Sequence, residues 1–227
     1  MASGSSRHGD TTGNTIIEPG AVTLEAAEIA RKSRALARLA VGDTSPEDRI
    51  RQRCSVAVGD FAMAGLLRFN NSPVEAGIRA IESSAPLFTD IRMVQVGILR
   101  AHHSKVNCAL DYGLDMAMEK KITRTSAGFM SIGKSLDGAI VVIGNAPSSL
   151  LAICDMIKGG IMPALIIGVP VGFVNAAESK ELLRTMTVPS ISTEGTRGGT
   201  PVAVAAMNEI IIMYREACHD KRPGDGV

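Results

Sequence analysis

One stretch of the chain imitates a phosphate-binding loop, and three others place glycine, asparagine or arginine where an anion could be received. GFMSIGKS, residues 128–135, fits G-x-x-x-x-G-K-[ST] in every position. In such a loop, backbone amides cradle phosphates, the lysine reaches their outer oxygens and the serine holds magnesium. That chemistry needs a strand before the loop and a helix after it, so that amides and helix dipole converge on the anion. Here a helical pattern precedes the motif and the strand-like GAIVVIG follows it. The order is reversed, so Gly133 is expected to end a helix in the left-handed conformation, with Lys134 at the negative helix end. The motif therefore lacks the geometry that nucleotide binding requires.

The other three stretches have the required order. In GAIVVIGNAPSSLLAIC a strand ends at Gly144, Asn145 is expected as N-cap, and Ala146 and Pro147 open a helix with small side chains. In PALIIGVPVGFVNAAESKELL the strand ends near Gly168, and Asn175 with Glu178 fits a capping box. In ISTEGTRGGTPVAVAAMNE a strand leads to Gly195, Gly198 and Gly199, with Thr200 as a cap, Pro201 in the first turn and Arg197 in the loop. Unpaired amides at such corners favour acceptors and anions, and an arginine can grip a carboxylate through two hydrogen bonds. Turn geometry alone also explains glycine and asparagine at these junctions. Three such corners on one edge of a parallel sheet form a crevice suited to a ligand with several carboxylates or amides around its rim.

The elements that must position these corners follow from periodicity. VTLEAAEIARKSRALARLA has helical spacing, and GDTSPEDR is a turn with Ser45 as N-cap and Pro46 at the first helical position. A second apolar-rich segment runs from Arg49 to Phe69, and SPVEAGIRAIES reads as a short amphipathic helix. The runs APLFTD, VNCALD, GAIVVIG, PALIIGVP and PSIST then alternate with RMVQVGILR, YGLDMAMEKKITRTSAGFMS, SSLLAICDMIK, NAAESKELLRTM and PVAVAAMNEIIIMYREA. Alternation at this spacing predicts a three-layer α/β/α fold with a mainly parallel sheet and a helical N-terminal portion. A single domain over residues 16–217 is expected, between flexible tails at 1–15 and 218–227.

Composition narrows the partners. The 227 residues carry 24 basic and 23 acidic side chains, a balance that asks for neither nucleic acid nor an anionic membrane. Aromatic residues are 3% with no tryptophan, which leaves no base-stacking platform. The four cysteines are widely spaced, as expected of a reduced intracellular chain without a zinc site. The least charged stretch, residues 159–177, is broken by Pro163 and Pro170 and reads as a buried strand with turns. A cytoplasmic protein is the expectation.

At these corners the sequence resembles the precorrin-8X methylmutase family of the cobalamin pathway. IGNAPSSLLAI, PALIIGVPVGFVNAAESKE and TRGGTPVAVAAMN carry the likeness in this order, with TDIRMVQVGI, NCALD and TRTSAG before them. It extends over roughly residues 16–215. The resemblance implies an isomerase that moves a methyl group from C-11 to C-12 of precorrin-8 or cobalt-precorrin-8, giving hydrogenobyrinate or cobyrinate. It implies a homodimer with a shared active site, no cofactor of its own, and a tetrapyrrole substrate fringed with acetate and propionate groups.

The resemblance also assigns site residues. The family pattern approximates R-x-x-H-x-x-G-D, and the chain reads RCSVAVGD, so Arg53, Gly59 and Asp60 match while Val56 stands at the imidazole position. Valine transfers no proton, whereas histidine does so readily near neutral pH. Three explanations stay open: positioning alone with a proton from water or another group, His102 or His103 reaching the pocket instead, or a corrinoid-binding protein without turnover. Ser33 matches a family serine that hydrogen-bonds the substrate rim. Arg53 and Arg124 are expected to pair with substrate carboxylates, and Asp60 to be a buried partner of an arginine, with a fallback acid as the alternative. Asn145, Ala146, Gly168, Val169, Arg197, Gly198 and Gly199 complete the expected binding set.

Overall fold

The computed structural model describes residues 23–100 and 105–220. The first helix, α1 (Leu24–Val41), is capped by Thr23, whose hydroxyl accepts from the Ala26 amide. The next, α2 (Pro46–Val58), begins at the expected place: the Ser45 hydroxyl accepts the Asp48 amide and the Asp48 side chain returns to the Ser45 amide. It stops at Gly59, whose φ of 65° supplies the left-handed cap. A short α3 (Ala62–Leu66) follows and runs directly into strand β1 (Leu67–Asn70). That strand was not separated from the apolar run in the sequence.

The remaining elements alternate: α4 (Pro73–Glu82), β2 (Leu87–Thr89), α5 (Arg92–Gly97), β3 (Val106–Cys108), α6 (Leu114–Lys120), α7 (Arg124–Ile132), β4 (Ile140–Ile143), α8 (Pro147–Lys158), β5 (Leu165–Gly168), α9 (Ala176–Arg184), β6 (Ser190–Thr193) and α10 (Thr200–Asp220). The expected single helix across YGLDMAMEKKITRTSAGFMS is two, because Lys121 adopts a left-handed conformation and Thr123 caps a new start. The last helix runs three residues past the expected end at Ala217.

The sheet has the order β1-β6-β5-β4-β2-β3, with β1 antiparallel on its edge and the other neighbours parallel. Strand alternation sends Ile140, Val142, Leu165 and Ile167 to one face, where they pack with residues of α2, α4, α5 and α10. Val141, Ile143 and Ile166 go to the other, against Phe129, Leu150, Ile153 and Leu183 of α7, α8 and α9. This is the expected three-layer α/β/α arrangement. Among the described residues no helix is long and apolar enough to cross a membrane.

GFMSIGKS lies in α7 and the 3₁₀ turn Gly133–Leu136, and it leads into β4 rather than out of a strand. Gly133 has a φ of 56° but a ψ of −129°, outside the left-handed helical region expected for it. Gly128, the first glycine of the pattern, is a packing residue: a Cβ there would stand 2.1 Å from the Ala109 carbonyl oxygen.

Candidate active site

Because β2, β4, β5 and β6 are parallel, their carboxyl ends share one edge, and the three expected corners lie there. The Asn145 corner is built around a residue the sequence did not single out. Asp90, just past β2, is fully buried. Its Oδ2 accepts the Asn145 and Ala146 amides at 2.7 and 2.9 Å, and its Oδ1 accepts those of Gly144 and Ile91 at 3.3 and 3.0 Å. Burial pushes this carboxyl above its ordinary range, against the pull of the four amides. The expectation of free amides at Asn145 and Ala146 is therefore corrected: a resident carboxylate already occupies them. Nor is Asn145 an N-cap, since Ala146 holds that position with no side-chain bond. What Asn145 offers the edge is its exposed side chain.

The next two corners are stapled to each other. The Gly199 amide donates to the Val169 carbonyl at 2.7 Å, and the Gly172 amide to the Thr196 carbonyl at 3.1 Å. A Cβ on Gly198 would fall 2.3 Å from the Val169 oxygen, so glycine there serves the close approach of two backbones. Gly168 is likewise enclosed, with Leu183 and Leu150 methyls 2.6 and 2.9 Å from where its Cβ would be. The Val169 side chain is in the core. These four residues shape the edge from beneath. Asn175 has a φ of 61° and makes no side-chain cap bond, so the expected box with Glu178 does not form.

Arg197 projects from the third corner and pairs with Asp60, just beyond the end of α2. Its hydrogen bond holds the Asp60 carboxyl below the ordinary carboxylate range. Asp60 thus has the arginine partner expected of it, although at the surface. The pair brings the end of α2 to the crevice. Val56 lies one turn before Asp60 with 40% of its surface exposed.

Arg53 has an internal neighbour. Its Nε is 3.7 Å from Oε2 of Glu209, a fully buried carboxylate in α10. Arg34 reaches the same oxygen at 3.0 Å, and Arg49 reaches Oε1 at 2.8 Å and Glu216 at 2.7 Å. Arg53 accordingly has an internal carboxylate within ion-pair distance. Ser33 is half-buried on α1 beside Arg34. One acidic residue inside the apolar run AVAAMNEIIIMY was the available sequence signal for this cluster.

Arg124, at the start of α7, donates to the Leu110 carbonyl at 3.0 Å. Its neighbour Thr123 shares a 2.9 Å hydrogen bond with Ser148 of α8, tying this helix start to the Asn145 corner. A groove of about 620 Å³ opens along that seam, with Ile122, Met130, Leu151 and Met156 as its apolar wall. His102 and His103 lie outside the described residues. Among the described residues no group of three or more histidine, cysteine or acidic side chains is arranged to hold a metal.

A family model described as precorrin-8X methylmutase (CbiC) matches residues 28–213. The chain belongs to the precorrin-8X methylmutase family. The cobalt-precorrin-8 methylmutase of Methanocaldococcus jannaschii is 42% identical over 204 residues, 85% of this chain and 96% of that protein. That of Methanothermobacter thermautotrophicus is 38% identical, over 87% of this chain and 98% of its own. The crystal structure of the precorrin-8X methylmutase from Thermus thermophilus superposes with a TM-score of 0.76 at 35% identity, covering 83% of this chain and 98% of that one. Within this family framework, the resident carboxylate Asp90 is the part of the site that the sequence does not single out, and Glu209 is the hidden centre of the neighbouring arginine cluster.

Proposed function

We propose that the chain is an isomerase that moves a methyl group from C-11 to C-12 of precorrin-8 or cobalt-precorrin-8, yielding hydrogenobyrinate or cobyrinate. Family membership over residues 28–213 is the observation that carries this reading. The crevice agrees with it: Arg197, the exposed Asn145 side chain and Arg124 border an edge that suits a macrocycle fringed with carboxylates. The bond at C-11 breaks as the bond at C-12 forms, so no group leaves and no redox partner is required. The protein's part is to hold one conformation of the macrocycle and exclude water from its reacting edge. With Val56 at the imidazole position, a proton on the conjugated ring system comes from another group or from water. Central cobalt, where present, belongs to the substrate.

Val56 also favours a second reading, a corrinoid-binding protein of the same fold without turnover. Incubation with precorrin-8 or its cobalt form separates the two. A shift to the corrin absorption spectrum supports the mutase, and an unchanged spectrum with both substrates refutes it. Under the mutase reading, Val56→His raises turnover if proton transfer limits the rate; an unchanged rate assigns the proton to another group.

The working unit in this reading is a cytoplasmic homodimer with a shared site. Its support is α1, whose eighteen residues bury only Ala37 while Ile29, Leu36 and Leu39 stay exposed. Phe173, 94% exposed beside the crevice loops, adds a second uncovered apolar surface. Light scattering of the purified chain tests it: a monomer mass at micromolar concentration removes the shared site.

A further inference from the structure

Lys180 in α9 is fully buried, and its two hydrogen-bond partners are both neutral oxygens. Its Nζ donates to the Thr193 hydroxyl at 3.0 Å and to the Arg197 carbonyl at 2.8 Å. Thr193 donates to the same carbonyl at 2.6 Å, so this oxygen receives two donors. Burying an ammonium without a carboxylate is unfavourable, and such a residue calls for a reason other than stability. Burial, with the Arg184 charge one turn further along α9, lowers the amine to about 8.

The doubly held carbonyl belongs to the Arg197–Gly198 peptide. Gly198 is pressed against the Val169 oxygen and Gly199 is bonded to it, so the loop is fixed on the other side as well. The only part of Arg197 left to reach outward is its side chain, which is turned towards Asp60 at the crevice.

We infer that Lys180 is a positioning residue: by fixing the Arg197 carbonyl from beneath, it aims the Arg197 guanidinium at a carboxylate on the rim of the ligand. This rests on the reading that Arg197 grips the substrate. Asp60 holds the guanidinium in place until a ligand carboxylate competes for it. Lys180 touches no substrate and takes no part in bond making.

A double-mutant cycle on ligand affinity tests this. Cobyrinate is titrated by absorbance into wild type, Lys180→Met, Arg197→Ala and the double variant. Each single substitution is expected to weaken binding about tenfold, as for a lost charge-assisted hydrogen bond, and the double no more than Arg197→Ala alone. Additive losses, or a Lys180→Met protein that binds like wild type, overturn the inference. If Arg197→Ala binds like wild type, the carboxylate-grip reading falls and this inference with it. If Arg197→Ala is weakened and Lys180→Met is not, only the inference falls. Melting temperature serves as control, since a purely structural lysine would lower stability without coupling to Arg197. Should Lys180→Met fail to fold, Thr193→Val removes the other donor to the same carbonyl and is read identically.

Discussion

Replacing Asp90 with asparagine keeps the shape of the side chain and removes half of what it does. In the native protein two amides converge on each carboxylate oxygen: Asn145 and Ala146 on Oδ2, Gly144 and Ile91 on Oδ1. An asparagine amide has one oxygen and one NH₂ group, so in either orientation one pair of backbone donors faces another donor. Each orphaned buried group costs about 1–3 kcal/mol. The neutral amide avoids the burial that pushes the Asp90 carboxyl upward, which offsets part of the loss. A net destabilisation of about 2–4 kcal/mol is expected, a large share of the roughly 5–15 kcal/mol typical of a folded domain. At about 2–4 °C per kcal/mol for a chain of this size, the melting temperature should fall by roughly 5–15 °C. Urea unfolding at neutral pH measures the first figure, and calorimetry the second. An Asp90→Asn protein within about 0.5 kcal/mol of wild type, the range of neutral surface changes, would refute the view that this carboxylate organises the corner.

The other predictions follow the same electrostatic reasoning. Glu209→Ala leaves Arg34, Arg49 and Arg53 without their shared buried carboxylate and should cost about 3–5 kcal/mol in urea unfolding. The folded protein binds the Lys180 proton less tightly than the unfolded chain does. The Lys180 contribution to stability should therefore rise as pH increases from about 8 towards the ordinary lysine range of 10.5, read as the difference between wild type and Lys180→Met, since burial of the Cys54 and Cys154 thiols works in the opposite sense in both proteins. Urea midpoints at several pH values across that window, compared between the two proteins, read this directly. Leu36→Glu, on the uncovered face of α1, should lower the mass measured by light scattering from dimer to monomer while leaving the circular dichroism spectrum unchanged.

The layered fold was legible because its signals are local. Ser45 and Pro46 mark the start of α2, and the β-branched runs IVVI and LIIG fill both faces of a covered sheet. Strand β1 was hidden because four residues continuing directly from α3 become a strand only by pairing with β6. The break between α6 and α7 depends on a left-handed lysine, which no propensity marks. Within the site, glycines and arginines were visible as types, but their partners were not. Gly168, Gly198 and Gly199 proved to be shaped by neighbouring chain segments, and Arg53 by Glu209 across the helix layer. Asp90 and Lys180 look like solvated charges when read along the sequence, and Glu209 is marked only by its apolar neighbours. Only the tertiary fold makes them interior.

Asp90 gives the folded protein something a ligand would otherwise have to provide. Its carboxylate stands where an acetate or phosphate would bind the amides of Asn145 and Ala146, so the corner is already in its anion-bound shape. The ordering entropy of that loop is met once, when the chain folds, and does not recur at each encounter with a ligand. A rim prepared in this way discriminates by fit, since a ligand whose side chains meet it in the wrong register finds no loose loop to accommodate them.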